Sequence, residues 1–413
     1  MAGVIKLAKV TRYQMALGAA YMLAMGVCGI VLVALGSTLE DLAENCGKTS
    51  TQVGSVFVAR GVGAVLGAVS SAKLYRWFGG NNVMTASLSA LTSWLLYMPF
   101  ITNVPMLHVA FFGLGLCTAI TDTGCQIMTR KVHGIGAGPW LGANTVAFGI
   151  SGALVPLLAY LTGSLFVQYA ILATVGLIVA MFLLVLPPPE SQPGFARGPP
   201  LKKAPAHTSG PADLSEGFVR RYRVEFTVGA MVFWLIGGKV GITAYLTQYV
   251  EDTGVIRAAN ASLLIMVLWS AITVGRLAGI QDQRTLTLPK LYSHATGLLG
   301  IGAFGMFTVL AFPDSSFVLW AGVALYGLFN GPTVGYCYDL NNRTTHPTET
   351  GMSIVMFGLN FGASVIPYLL SWLWETFDWP QVLIITVFLS HVVPYPLMLT
   401  VKRMHENMTS VHI

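Results

Sequence analysis

Three charged side chains lie inside stretches that are otherwise as apolar as membrane helices: Arg60, Asp122 and Lys239. A charge at the centre of a bilayer costs at least about 2.5–3.5 kcal/mol. A chain keeps such groups where they face a protein interior or a water-filled cavity and find partners there. Their presence predicts a protein with several membrane spans and a polar path between them, rather than a simple anchor.

Asp122 and Lys239 each allow more than one role. Asp122 either binds and releases a coupling cation or is a permanent structural partner of Lys239 or Arg60. Lys239 either holds an anionic substrate, takes the place of the coupling cation, or locks two halves of the protein together through Asp122. The residue types alone leave these alternatives open.

Arg60 and Arg276 occupy matching places in two similar segments, Arg60-Gly-Val-Gly and Arg276-Leu-Ala-Gly. A permanently charged guanidinium suits recognition of a carboxylate or a phosphate. The alternative is that each arginine ties down a loop or a helix end. We predict this second role for Arg276, which lies a few residues from the end of its span, and leave both open for Arg60.

Uncharged polar side chains inside the apolar stretches are further candidates. Binding a small polar solute in a pocket requires hydrogen-bond donors and acceptors, and an aromatic face can pack against its apolar side. The same side chains also bond one membrane helix to another or mark the membrane interface, so each has a structural alternative. The candidate substrate-binding residues are Arg60, Gln126, Asn144, Lys239, Tyr245, Gln248, Trp269, Asn330 and Asn360, and the candidate ion-coupling residue is Asp122.

Composition excludes a water-soluble protein. Of the 413 residues, 54% are hydrophobic and 10% are charged, whereas soluble domains carry roughly 25% charged residues. The sequence has no phosphate-binding Gly-rich loop, nucleophile elbow or metal-spaced cysteine pair. We therefore expect no catalysis, no metal site and no cofactor.

The apolar residues fall into runs of about 20, the length that crosses a bilayer as a helix. We predict twelve spans, at residues 13–36, 50–73, 83–101, 105–128, 139–162, 165–186, 224–249, 260–280, 288–312, 316–338, 351–373 and 379–401. Pro187-Pro188-Pro189 ends the sixth span, because proline lacks an amide donor. A disordered linker is predicted to follow. The predicted domains are an N-terminal bundle at 1–186, a linker at 187–222, a C-terminal bundle at 223–403 and a tail at 404–413.

Charge sets the predicted orientation. If the N-terminus is cytoplasmic, the basic residues outside the spans lie on the cytoplasmic side, as is usual for membrane proteins. Lys48 and Arg257 are the exceptions. The loops on the other side are acidic. Both termini are therefore predicted to be cytoplasmic, in either the plasma membrane or an organelle membrane. The net charge of +6 follows from this topology and predicts no nucleic-acid partner.

The two halves of the chain repeat one another. Gly152-Ala-Leu-Val-Pro156 in the fifth span is echoed by Gly362-Ala-Ser-Val-Ile-Pro367 in the eleventh. Six plus six spans with parallel repeats and a central linker is the architecture of major facilitator transporters. The predicted fold class is thus an all-α membrane protein with twelve transmembrane helices in two six-helix bundles.

Five motifs across both halves resemble the sodium-dependent glucose transporter and fucose permease branch of that superfamily. They are Phe57-Val-Ala-Arg-Gly-Val-Gly63, Asp122-Thr-Gly-Cys-Gln126, Phe148-Gly-Ile-Ser-Gly-Ala153 with Pro156, Thr273-Val-Gly-Arg276, and Pro332-Thr333 with Asp339. The resemblance implies symport of a hexose-like solute with Na⁺ or H⁺, with Asp122 in cation coupling and neighbouring amides on the sugar. One departure is Lys239, which stands where relatives carry a glutamate and so removes a candidate cation ligand.

We therefore expect a secondary active or facilitative transporter that moves a small polar solute, a hexose-like sugar, by alternating access. The leading alternative is an organic-anion carrier, because Arg60 and Lys239 outnumber Asp122 in the core. A further alternative is a transporter-like receptor or accessory subunit that moves nothing. The expected partners are the solute and the lipid bilayer, and the protein is expected to act as a monomer.

Overall fold

A computed structural model describes residues 11–133, 137–187, 216–345 and 349–410. The helices of the first half are α1 (Arg12–Ser37), α2 (Leu39–Asn45), α3 (Val56–Trp77), α4 (Gly80–Tyr97), α5 (Val104–His133), α6 (Ala137–Thr162) and α7 (Leu165–Val185). Those of the second half are α8 (Glu216–Arg221), α9 (Arg223–Thr253), α10 (Ala261–Thr285), α11 (Leu288–Ala311), α12 (Ser316–Thr345), α13 (Glu349–Phe377), α14 (Val382–Val392) and α15 (Pro394–Ser410).

Within the described residues, twelve segments are long and apolar enough to cross a membrane, which confirms the predicted number of spans. The twelfth span is formed by α14 and α15 together. The break between them falls at Val393, directly before Pro394, whose missing amide donor interrupts the helix. Pro156, Pro332 and Pro367 lie inside continuous helices.

The predicted start of the second span is wrong. The prediction placed it at residue 50, but α3 begins at Val56. Residues 51–55 form turns, and the side chains of Ser50 and Thr51 bond to the other half of the protein. A hydropathy window includes these residues because Val53, Gly54 and Val56 carry no charge. The predicted linker lies mostly outside the described residues, and α8 is the helix that falls within its described part.

The two halves pack in the same pattern. In the first half α3 packs on α5, α1 on α6 and α4 on α7. In the second half α10 packs on α12, α9 on α13 and α11 on α14. These pairs match one for one when the halves are aligned span by span. The internal sequence repeat is therefore also a repeat of helix packing, and each half forms one lobe.

The lobes meet along matching helices as well. The main contacts between them are α6 with α10 and α3 with α13, joined by α1 with α9. α1 and α9 are the most enclosed spans, and 72% of the apolar window of each is buried. We call the side where α1 begins the terminal face and the opposite side the distal face.

Glycines allow the closest helix contacts inside each lobe. A side chain at Gly63 on α3 would overlap the carbonyl group of Phe112 on α5, and one at Gly275 on α10 would overlap that of Leu328 on α12. The backbones can approach this closely only without a Cβ atom, as in other membrane helix pairs. Both contacts join the second and fourth spans of their lobe, although Gly63 aligns with Gly279 and not with Gly275 in the repeat.

Replacing Gly275 by alanine is expected to lower the free energy of unfolding by about 1–3 kcal/mol, because the added methyl overlaps the α12 backbone. Thermal unfolding of detergent-solubilised protein measures this as a lower midpoint. Gly300→Ala is the matched control, since nothing lies within 4 Å of a methyl group there and alanine favours helix. A midpoint for Gly275→Ala equal to that of Gly300→Ala would contradict the packing.

Candidate functional site

The charged residues predicted from the sequence gather near the contact between the lobes. Arg60 lies on α3 and Asp122 on α5, both in the first lobe, and Lys239 lies on α9 in the second. Arg60 is 7% exposed and Lys239 is 2% exposed. Both cations are therefore shielded from solvent and from lipid, as the sequence analysis expected of charges at this depth.

Asp122 forms no ion pair with a basic side chain among the described residues. Gln126 follows it one turn further along α5, close to its carboxylate. One carboxylate oxygen of Asp122, Oδ1, is enclosed and has no hydrogen-bond partner among the described residues. The ion pairs between described residues are His294–Asp282 and Arg343–Asp339. The proposed structural pairing of Asp122 with Lys239 or Arg60 is therefore not observed.

Arg60 faces the interior of the first lobe. Its Nε atom is buried with no hydrogen-bond partner among the described residues. Cys28 of α1 lies within electrostatic range of both Arg60 and Asp122, so these two opposite charges line the same part of the lobe without touching. This places one cation and the carboxylate on the first-lobe side of the interface.

Lys239 lies against an aromatic ring of the neighbouring helix. Its Nζ is 5.7 Å from the ring centre of Trp269 on α10, within the range of a cation–π interaction. The indole Nε1 donates a hydrogen bond of 3.2 Å to Thr243, one turn beyond Lys239 on α9. Thr243 in turn packs on Gly36 of α1. Lys239 is thus connected through two side chains to the first lobe.

Arg276, for which the sequence analysis favoured the role of tying down a loop or a helix end, bonds to the other lobe. Its Nη1 donates a 2.8 Å hydrogen bond to the carbonyl oxygen of Thr145 on α6. Its guanidinium carbon is 5.3 Å from the centre of the Phe148 ring, which is 6.0 Å from the Trp269 ring. The repeat relation to Arg60, at mid-span, was the signal that could have placed Arg276 at the lobe contact.

Three asparagine amides among the candidate residues are each anchored by a hydrogen bond to a helix. Asn144 Nδ2 donates to Thr129 Oγ1 at 3.0 Å, Asn330 Nδ2 to the Leu235 carbonyl at 3.4 Å, and Asn360 Nδ2 to the carbonyl one turn before it at 3.0 Å. The Oδ1 atoms of Asn144 and Asn330 are enclosed and have no hydrogen-bond partner among the described residues. These two acceptors are suited to hydroxyl donors of a polar solute.

Tyr245 and Gln248 lie away from the charged residues, toward the distal face. Tyr245 is fully buried, and its ring centre is 6.2 Å from that of Phe57 on α3. Gln248 accepts a hydrogen bond from Ser50 of the other lobe. Its role in binding the solute stays a prediction, and in this structure its amide oxygen takes part in a contact that closes the distal face.

A second distal contact joins the lobes. Thr51 Oγ1 donates to Glu375 Oε2 at 2.7 Å, and Gln52 Nε2 donates to Oε1 of the same carboxylate at 3.5 Å. Glu375 ends α13, so the segment that precedes α3 bonds to the ends of both α9 and α13. The structure is therefore closed on the distal face by side chains from both lobes.

Two carboxyl groups meet across the same closure. Glu40 of α2 hydrogen-bonds to Glu251 at the end of α9, and Asp41 and Asp252 lie nearby. Burial, followed by this contact and the neighbouring negative charges, raises the pKa of Glu40 from 4.5 to about 8. The closed arrangement therefore keeps a proton on Glu40 at neutral pH.

The distal closure is expected to loosen as the pH rises. When the lobes separate, Glu40 leaves Glu251 and its pKa returns toward the ordinary value of 4.5. Glu40 therefore binds a proton more tightly in the closed arrangement, so low pH favours closure. Ser371, which packs on Gly54 across the lobes, can be changed to cysteine in a Cys46→Ser background and labelled with an impermeant maleimide. Labelling is expected to increase between pH 5 and pH 8 more than thiol ionisation explains.

The Glu40→Gln variant supplies the control for this measurement. A glutamine keeps the hydrogen bond but carries no charge at any pH, so only the thiol's own pH dependence should remain. Equal pH profiles with and without Glu40→Gln would show that this carboxyl pair does not control closure.

Comparison with known proteins agrees with this architecture. The Major Facilitator Superfamily description matches residues 17–351. The sodium-dependent glucose transporter 1 of Xenopus laevis is 22% identical over 371 aligned residues, which cover 82% of this chain and 72% of that protein.

Two solved structures share the fold. A D-xylose-proton symporter superposes with a TM-score of 0.69 at 13% identity, covering 93% of this chain and 98% of the symporter chain. The nucleoside transporter NupG superposes with a TM-score of 0.67 at 14% identity, covering 94% of this chain and 100% of the other. At these identities the likeness establishes the fold alone.

Proposed function

The chain belongs to the Major Facilitator Superfamily, and we propose that it transports a sugar-sized polar solute by alternating access between its two lobes. The observation that carries the proposal is the pair of contacts between α6 and α10, where Arg276 bonds to Thr145 and Phe148 packs near Trp269. Charged, aromatic and amide groups from both lobes thus surround one region. A solute bound there would contact both lobes and change the balance between their arrangements.

Sugar recognition is supported by the chemistry of the lining. The unpartnered Oδ1 atoms of Asn144 and Asn330 can accept hydrogen bonds from hydroxyl groups, and Trp269 offers an aromatic wall. These are the groups that orient a polyhydroxylated ring in a pocket. The names of the similar proteins, a sodium-dependent glucose transporter and a D-xylose-proton symporter, point to the same class of solute.

The terminal face is proposed to be cytoplasmic. The linker, both chain ends and most basic residues lie on that side of the predicted topology. The distal face, where Glu40, Glu251 and Glu375 close the lobes, would then be the outer face. The structure would accordingly represent a state closed to the outside.

Asp122 is proposed to carry the coupling cation, Na⁺ or H⁺. Its Oδ1 is enclosed without a partner and no basic side chain pairs with it among the described residues. A carboxylate in this setting is stabilised by a cation or by a proton. The same position therefore suits either ion.

Uptake into proteoliposomes tests the function. Labelled hexose is expected to enter vesicles that contain the protein faster than empty vesicles, and an excess of unlabelled sugar is expected to compete. Imposed Na⁺ and pH gradients then identify the coupling ion. The proposal would be refuted if no tested sugar entered faster than into empty vesicles and none bound to the purified protein.

Asp122→Asn separates coupling from binding. The amide is close in shape but binds neither a cation nor a proton, so the variant is expected to lose accumulation against a gradient. Exchange of labelled for unlabelled solute across the membrane is expected to continue, because it needs no coupling ion. Accumulation by Asp122→Asn at the wild-type level would assign coupling to another group.

A further inference from the structure

Lys239 and Arg276 form a pair of neighbouring cations with no carboxylate of their own. Lys239 lies on Trp269 and Arg276 on Phe148, and the centres of these two rings are 6.0 Å apart, so both cations border one aromatic cluster. Among the described residues, neither forms an ion pair within 4.0 Å. Lys239 is 2% exposed. Buried charges normally require an opposite charge nearby, and these two cations have none in contact among the described residues.

Aromatic rings form the walls of this pair but do not balance its charge. Trp269 lies 5.7 Å from Lys239 Nζ and Phe148 lies 5.3 Å from the Arg276 guanidinium carbon. Cation–π contacts are weak beside the loss of hydration that burial imposes. The rings shield both cations from water and fix their positions, but they carry no negative charge.

Asp122 does not supply the missing negative charge. Among the described residues, Asp122 forms no ion pair within 4.0 Å with Arg276 or Lys239. Asp122 lies on α5 of the first lobe, whereas both cations lie on helices of the second. Arg60 faces the interior of the first lobe and is not part of this pair. Lys239 and Arg276 are thus two cations that form no ion pair with a carboxylate among the described residues.

We propose that the transported solute is a sugar acid, whose carboxylate binds to Lys239 and Arg276 while its hydroxyl groups bind to Asn144 and Asn330. The inference rests on the proposed function and names its substrate class. An arginine fork and a lysine ammonium together bind a carboxylate well. Asn144 lies one helical turn before Phe148 on α6, so a hydroxyl acceptor adjoins the ring that packs on Arg276.

This reading combines the two solute classes that the sequence left as alternatives. A neutral hexose would satisfy the amides and leave both cations uncompensated. A simple monocarboxylate would satisfy the cations and leave the buried acceptors of Asn144 and Asn330 without donors. A hexuronate, such as galacturonate, satisfies both sets.

Competition in proteoliposomes tests the proposal with the full-length chain. Galacturonate, glucose, acetate and chloride are each compared as inhibitors of labelled galacturonate uptake, and as stabilisers of the protein against heat. Galacturonate is expected to act at concentrations about tenfold or more below those of glucose and acetate. Chloride, which has no hydroxyl groups, is expected to act more weakly still.

Lys239→Met removes the ammonium but keeps a long apolar side chain, so the fold is expected to remain. The variant should lose about tenfold or more in galacturonate affinity while glucose affinity is retained. Lys48→Met, which removes an exposed cation, is the matched control and should behave as wild type. If Lys239→Met does not fold, the comparison of galacturonate with glucose and acetate on the wild-type protein still tests the proposal.

The outcomes separate the two proposals. If glucose enters and galacturonate neither enters nor stabilises the protein, the sugar acid is excluded and sugar transport stands. If acetate or chloride binds as tightly as galacturonate, the site accepts small anions and the inference fails. If galacturonate keeps its preference in Lys239→Met, the cation pair is not its site. If no solute enters or stabilises the protein, the transport proposal fails as well.

Discussion

An uncompensated positive charge at the contact between the lobes is the constraint on which the rest of the structure depends. Burying an ion costs several kcal/mol even after relaxation, while a cation–π contact returns on the order of 2 kcal/mol when it is desolvated. Lys239 and Arg276 are held in place by Trp269, Phe148 and the Thr145 carbonyl, but none of these carries a full negative charge. The site is thus built to gain stability when an anion arrives.

α9 connects this site to the distal closure. Lys239, Thr243 and Gln248 follow one another along the same helix, which ends beside Glu251. The Trp269 indole bonds Thr243, which packs on α1, while Gln248 bonds the segment before α3. A shift of α9 when a solute binds to Lys239 would therefore be transmitted to the contacts that close the distal face. This gives the two lobes a physical route for alternating access, carried by one rigid helix.

The sequence was sufficient for the spans, because runs of about 20 apolar residues can only be buried in lipid as helices. It also located Arg60, Asp122 and Lys239, since a charge in such a run is conspicuous. It failed where side chains act across the lobes. Arg276 lies near the end of an apolar run, so hydropathy placed it at a helix end, although α10 continues to Thr285.

The same limit explains Gln248 and the start of α3. Both lie in segments whose composition fits a membrane helix, and both are used to bond one lobe to the other. The residue pairs that form across an interface depend on how the two bundles dock. A local sequence pattern does not encode that docking. The matching of helix pairs between the lobes, by contrast, could be expected from the repeated motifs, because small residues in matching spans permit similar close contacts.

An experimental structure of the protein with galacturonate bound is the most direct test of the central claim. The carboxylate is expected within about 3 Å of Lys239 Nζ and of an Arg276 guanidinium nitrogen, with the sugar ring between α6 and α10. Galacturonate bound elsewhere, or Lys239 and Arg276 turned toward the acyl chains with no cavity between the lobes, would contradict it.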